Sequence, residues 1–195
     1  MIPIRVTKAN RQDVVNKAVG LLRQGKVIIF PTETVYGIGA DAFNKKAVAK
    51  IFALKKRPTT QPLQILIGDI KTVKKVSRNV SRKALALMKK SWPGPLTVIV
   101  TKKKIVADIV TANMKTVGLR MPDHPLMLEI IKALGHPIAA SSANISGKNP
   151  PKTAKEAAKH FRSGVALLID DGRCRIGKAS KVVDITKTTA KVLRK

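Results

Sequence analysis

The chain has 195 residues, 44% of them hydrophobic and only 3% aromatic, and its 39 Lys and Arg against 11 Asp and Glu give a formal net charge of +28. That length and apolar content suit one domain over residues 1–195 with a single substantial core, and the charge favours polyanionic partners. The single cysteine, Cys174, excludes an internal disulfide, and the scarcity of aromatics argues against a base-stacking RNA platform. No window approaches the roughly eighteen continuous apolar residues of a membrane span, so a cytoplasmic chain without a membrane partner is expected.

Asn10, with Asp13 three residues on, reads as a helix N-cap; Val14, Val15, Ala18, Val19 and Leu22 keep helical spacing, and Gly25 stops the run. Val27 to Phe30 is a strand, and Pro31-Thr32-Glu33-Thr34-Val35-Tyr36-Gly37 is a loop at its end, where α/β sheets place ligands. Asn44 caps a helix with an apolar face of Val48, Ile51, Phe52 and Leu54, which ends before Pro58 and leaves Lys55 and Arg57 at its exit. Leu63 to Ile67 is a strand, Asp69 opens a short basic helix, Ser81 to Lys90 forms another, and Leu96 to Thr101 is a strand after Trp92-Pro93-Gly94-Pro95. Val117 to Met121 is β-like, His124 to Leu134 is an amphipathic helix closed by Gly135, and Pro137 to Ala140 leads into the Ser141-Ser142-Ala143-Asn144 turn. Thr153 and Glu156 make a capping box for a helix reaching about Phe161, and Val165 to Ile169 and Lys181 to Ile185 are strands. The alternation predicts a layered α/β (mixed α+β) domain whose sheet is mixed rather than purely parallel.

No phosphate loop, Gly-x-Gly-x-x-Gly or His-Glu-x-x-His pattern is present, and Ser141 and Ser142 sit in no Gly-x-Ser-x-Gly elbow. His124, His136 and His160 lie at non-ligand spacing and read as surface or cap residues, so no metal site is assigned. Arg173 and Arg175 flank Cys174, a setting that can lower a thiol pKa, but no base partner stands beside it. What remains suits an anion-rich substrate. Lys55 offers a compact ammonium and Arg57 a planar fork for phosphate oxygens, with Gln61 held between Pro58 and Pro62. A solvated helix end also fits Lys-x-Arg in so basic a chain. Ser142 and Asn144 offer a hydroxyl and an amide to phosphate, ribose or carboxylate, or cap their own turn. Thr34 and Tyr36 fit a polar turn, and Arg120 fits either a surface ion pair or a carboxylate clamp.

Taken in order, Pro31 to Ala40, Lys55 to Leu63, Trp92 to Thr97, Gly118 to Pro122, Ser141 to Gly147, Gly177 to Thr186 and Leu193-Arg194 resemble the YrdC family of threonylcarbamoyl-adenylate synthases. The resemblance implies a twisted, open, mostly mixed sheet flanked by helices, with a basic concave cavity. It implies a nucleotidyltransferase that uses ATP, L-threonine and bicarbonate, with magnesium, to make threonylcarbamoyl-AMP and pyrophosphate for a tRNA modification. By position, Lys55, Arg57, Ser142 and Asn144 would be catalytic; Arg57, Gln61, Thr116, Ser142, Asn144 and Arg194 would bind ATP. Thr34, Tyr36, Arg120, Ala140 and Ser180 would hold threonine. Three positions depart from some relatives: Leu66 where histidine stands, the surroundings of Pro150 where a serine stands, and Lys181 in place of threonine. Ending soon after Arg194, the chain reads as the short form without a further C-terminal domain. tRNA or double-stranded RNA on the basic surface, and tRNA threonylcarbamoyl-transfer proteins, are the expected macromolecular partners. Two other readings stay open: an RNA-binding module on the same fold, and a paralogue that handles a different carbamoyl-adenylate.

Overall fold

The computed structural model describes residues 2–187 and 190–195. In chain order its elements are β1 (Ile4–Arg5), α1 (Arg11–Arg23), β2 (Ile28–Phe30), β3 (Gly37–Asp41), α2 (Lys45–Lys55), β4 (Gln64–Leu66), α3 (Lys71–Val76), α4 (Arg82–Ser91) and β5 (Leu96–Thr101). They continue with α5 (Asp108–Thr111), β6 (Thr116–Arg120), α6 (Pro125–Leu134), β7 (Ile138–Ser142), α7 (Ala154–Ala158), β8 (Leu167–Asp170), β9 (Lys181–Asp184) and β10 (Lys191–Arg194). The strands make one open sheet in the order β1-β8-β2-β3-β7-β4-β6-β5-β9-β10. It is mixed, as expected: β1–β8, β2–β8, β4–β6 and β5–β9 pair in parallel and the other neighbours antiparallel.

Local chemistry accounts for most boundaries. Asn44 accepts the Ala47 N–H at 3.0 Å and starts α2. The helix closes on Lys56, whose φ of 49° reverses the chain, while Arg57 N bonds back to Phe52 O at 2.9 Å and Lys56 N to Ala53 O at 3.1 Å. Ser81 caps α4 through the Ala84 N–H, and Gly135 ends α6 with φ 76°. Four expectations need correction. Asn10 turns its side chain away from α1, accepting from Thr7 N and donating to Arg5 O, so it ties down β1 instead of capping. Thr153 caps α7 by accepting the Glu156 N–H, but the Glu156 carboxylate accepts from Lys152 N instead of closing the box on Thr153 N, and α7 stops at Ala158, short of Phe161. Ser141 and Ser142 belong to β7 rather than to the turn that follows. Gly37, read as the end of the loop, opens β3, and every residue of Gly37–Asp41 is buried. Its glycines have a steric cause: a Cβ on Gly39 would lie 2.8 Å from Ala139 O and 2.7 Å from Ile138 Cγ2.

Alternating side chains divide the core between the two faces of the sheet. One face, with Ile29, Ile38, Ile65, Val98, Leu119, Ala139 and Leu168, is covered by α2, α3, α4, α5 and α7. The other, with Ile28, Phe30, Leu66, Ile138, Ala140, Leu167 and Ile169, is covered by α1 and α6 alone. Two helices span only the β8-β2-β3-β7 part of that second face and the Leu66 end of β4. Over β6, β5 and β9 no helix of the described residues covers it, and Thr97, Thr116, Arg120 and Arg194 lie there.

Candidate functional site

The loop after β2 is organised by one hydroxyl. Thr32 Oγ1 donates to Val35 O at 2.7 Å and accepts from the N–H groups of Thr34 and Val35, a side-chain turn that fixes the loop. Its proton being spent, the 2.9 Å contact between the Thr32 and Thr34 hydroxyls must be donated by Thr34. Thr34 Oγ1 in turn accepts from Arg120 Nη2 at 2.9 Å. Arg120, at the end of β6, also donates from Nε to Gly94 O at 3.3 Å, and its Nη2 lies 2.7 Å from Glu33 Oε2. Neither Glu33 oxygen meets a donor at a hydrogen-bonding angle, so the contact is an ion pair by proximity. Both side chains are buried, 3% and 2% exposed. Arg120 is therefore no surface cation.

A second chain of hydroxyls has the same form. Thr97 Oγ1 donates to Gln64 Oε1 at 2.9 Å, so its 2.9 Å contact with Ser180 is donated by Ser180 Oγ. Ser180 Oγ accepts from Arg194 Nη2 at 3.1 Å, and Arg194 Nε donates to Ser180 O at 2.7 Å. Burial, and after it the charge of Arg120, hold the Arg194 guanidinium below its ordinary pKa, which places the two arginines in one another's field. Thr34 and Ser180 thus each spend their proton on a neighbouring hydroxyl and accept from an arginine, which leaves each with one lone pair to offer a ligand.

Register collects the other residues onto this face. Gln64 pairs with Gly118 on one side and Ala140 on the other, Thr101 pairs with Thr116, and Thr97 and Arg194 both stand opposite Val182. Paired residues share a face and alternate residues return to it, so Thr97, Thr116, Arg120, Ala140, Ser142 and Arg194 all lie on the face that α1 and α6 leave partly open.

At the exit of α2, Lys55 is buried, and its Nζ donates to the main-chain oxygens of Ser142 and Asn144, the latter at 2.6 Å. Burial, helped by the neighbouring Arg57, lowers its pKa to about 7. The lysine braces the 142–144 turn. Arg57 is half-buried with its pKa lowered by burial, and it closes its own loop through Gln61 O at 3.1 Å and Pro62 O at 2.9 Å; the Gln61 side chain is exposed. Asn144 donates to Ile145 O and Lys148 O, leaving Asn144 Oδ1 and Ser146 Oγ buried without partners. The Asn144 amide N–H groups are therefore spent on capping the turn, as one of the two alternatives read from sequence has it.

With this geometry in view, the comparisons are specific. The Sua5/YciO/YrdC family model, described as telomere recombination, matches residues 20–195. The chain belongs to the Sua5/YciO/YrdC family. It is 42% identical over 177 residues to a threonylcarbamoyl-AMP synthase of Pyrococcus abyssi and 44% identical over 179 residues to one of Bacillus subtilis. Each alignment covers 91% of this chain and 52% of the relative, so the chain spans about half the length of these proteins. Among solved structures, P. abyssi Sua5 complexed with L-threonine superposes with a TM-score of 0.96 at 39% identity, over 100% of this chain and 57% of that one.

Not every residue expected of a family member joins the group on the open face. Tyr36 is fully buried; its hydroxyl donates to Gly172 O at 2.7 Å, and burial raises its pKa. Leu66 lies in the α1–α6 core, and Lys181 is exposed. The flanking Arg173 and Arg175, which could lower the Cys174 pKa, are both exposed and do not: burial pushes the thiol up to about 11, and Glu33 and Glu156 add to the rise. Of the histidines, His124 heads α6, with burial lowering its pKa, and His136 pairs with Asp41 at 2.9 Å. Glu33, Gln64 and Thr97 have no role in the sequence reading; each owes its place to partners 33 to 87 positions away, as in the Thr97–Gln64 and Arg120–Thr34 bonds (separations 33 and 86) and the Glu33–Arg120 pair.

Proposed function

We propose that this chain is a threonylcarbamoyl-AMP synthase, a nucleotidyltransferase that makes threonylcarbamoyl-adenylate and pyrophosphate from ATP, L-threonine and bicarbonate. The observation that carries the reading is the paired arginine–hydroxyl group on one open face, Arg120–Thr34 and Arg194–Ser180, in a member of this family. Arginine donors suit a carboxylate, and hydroxyls left as acceptors suit an amine, so together they match the two ends of an amino acid. Thr34, Arg120, Ala140 and Ser180 hold L-threonine in this reading, and Tyr36 supports them from behind the loop. The neighbouring Lys55, Arg57, Gln61, Thr116, Ser142, Asn144 and Arg194 receive ATP. Lys55 acts there by shaping the Ser142–Asn144 turn, and Arg57 by its charge.

The reaction needs no side-chain nucleophile. The threonine amine attacks the carbon of carbon dioxide or bicarbonate, giving a carbamate with loss of a proton or of water. A carbamate oxygen then attacks the α-phosphorus, and the bond to pyrophosphate breaks with its electron pair leaving on the pyrophosphate oxygen. The protein contributes alignment and cations. Among the described residues no group of three or more His, Cys, Asp or Glu could hold a metal ion. Magnesium would arrive on the phosphate oxygens of ATP, where it would offset their charge.

The 195 residues act as one domain in this reading, and the open face is the floor of a basic concave cavity. No described helix is long and apolar enough to cross a membrane; a cytoplasmic setting with tRNA threonylcarbamoyl-transfer proteins as partners fits the proposed product. The test is pyrophosphate release with each substrate omitted in turn. It should require ATP, threonine and bicarbonate together; equal release without any amino acid rejects the assignment.

A further inference from the structure

Threonine and ATP have partners on the open face, but the one-carbon unit that joins them has none. One donor there is unspent. Gln64 faces the same side as its register partners Gly118 and Ala140. Because β6 lies between β4 and β5 in the sheet, the Gln64 side chain crosses β6 to take the Thr97 hydroxyl proton on its Oε1 at 2.9 Å. Gly118 leaves room for that crossing: a Cβ there would stand 3.0 Å from Thr97 Cγ2 and 3.9 Å from Gln64 Cβ. With Oε1 held by Thr97, the side-chain NH2 points away from it. Nε2 meets no acceptor among the described residues and is not one of the buried orphan atoms, so it stays open to the bay above this face.

We propose that Gln64 is the bicarbonate-binding residue of this bay, donating its NH2 to an oxygen of bicarbonate and then to the same oxygen of the carbamate made from it. The proposal rests on the synthase reading given above. Position supports it: Ser180 Oγ, an acceptor for the threonine amine in that reading, is joined to Gln64 Oε1 through Thr97 Oγ1 by two contacts of 2.9 Å, so a carbon bonded to that amine comes within reach of the Gln64 amide. In the step itself the lone pair of the free amine forms the N–C bond and the C–OH bond of bicarbonate breaks. The hydroxyl leaves as water with one amine proton, and the carbamate keeps the other two oxygens and the negative charge. A donor on one retained oxygen holds the unit in place while the other turns to the α-phosphorus.

Steady-state pyrophosphate release by the full chain tests this, with bicarbonate, threonine and ATP each varied while the other two saturate. Gln64→Met keeps the length of the side chain and removes the donor. Gln64→Glu keeps the oxygen that accepts from Thr97 and puts a negative oxygen where the donor was. Both should raise the KM for bicarbonate at least about tenfold, and in Gln64→Met the KM values for threonine and ATP should stay within about twofold. Calorimetric titration with L-threonine alone separates this from a folding defect: Gln64→Met should bind threonine as the unmodified protein does and regain turnover at high bicarbonate. A bicarbonate KM unchanged in either variant, a rise in Gln64→Met shared equally by all three substrates, or threonine affinity lost in both variants overturns the proposal while the function stands. So does a rise in the threonine KM alone, which would put Gln64 on the threonine hydroxyl. An unmodified protein whose pyrophosphate release ignores bicarbonate overturns the synthase reading itself, and this proposal with it.

Discussion

Lys55 shows how much a single residue changes between sequence and structure. In sequence it is a free ammonium at a helix exit; in the fold it is buried and holds two main-chain oxygens, and burial brings its pKa from 10.5 to about 7. A lysine that binds its proton less well when folded leaves the unfolded chain holding more protons between about pH 7 and 10.5, so stability rises with pH across that window. The two carbonyl acceptors favour the ammonium and oppose part of the effect. Above pH 9.0 the Cys174 thiol, raised to about 11, acts in the opposite sense. Urea midpoints should therefore climb from pH 7 to 9, by at most about 1.4 kcal/mol per pH unit. Lys55→Met should flatten the climb; an identical slope in the variant would show that the ammonium is not destabilised. Nothing in the sequence around Lys55 foretells this, because its partners lie 87 and 89 residues away.

At the level of elements, the longer helices announced themselves through apolar spacing, while the Asn10 cap did not form and the four-residue α5 was not read; strands showed only where they were apolar. β3 contains Gly37 and Gly39 and looks like loop, although its glycines are there because Phe30 and Ile138 press against it. β1 and β10 are short edges with little pattern of their own. The site was legible as a set of loops and strand ends, but the order of its hydrogen bonds, and the part played by Glu33, Gln64 and Thr97, depend on register. Gly94 illustrates the coupling of an element to the site. A Cβ there would stand 2.4 Å from Ser91 O, while Gly94 N bonds to Met121 O and Gly94 O accepts from Arg120. Gly94→Ala should cost about 1–3 kcal/mol in thermal or urea unfolding, as overpacking does, and should raise the KM for threonine more than that for ATP. A stable variant with an unchanged threonine KM would detach this turn from the site.

For the whole molecule, the charge of +28 exceeds anything the proposed reaction needs. We expect weak, non-specific tRNA binding driven by counterion release, with log K falling against log salt by about 0.9 per phosphate neutralised on duplex regions. Labelled tRNA and an unrelated duplex RNA should show similar affinities and slopes; a salt-insensitive preference for one tRNA would favour a dedicated RNA-binding role. The central claim is that the bay joins an amino acid, one carbon and a nucleotide. Tracing that carbon decides the matter: with labelled bicarbonate, ATP and L-threonine, a labelled adenylate should form in equal amount to the pyrophosphate released, and none without threonine. Pyrophosphate released without incorporation of the label, or label incorporated without threonine, would contradict it.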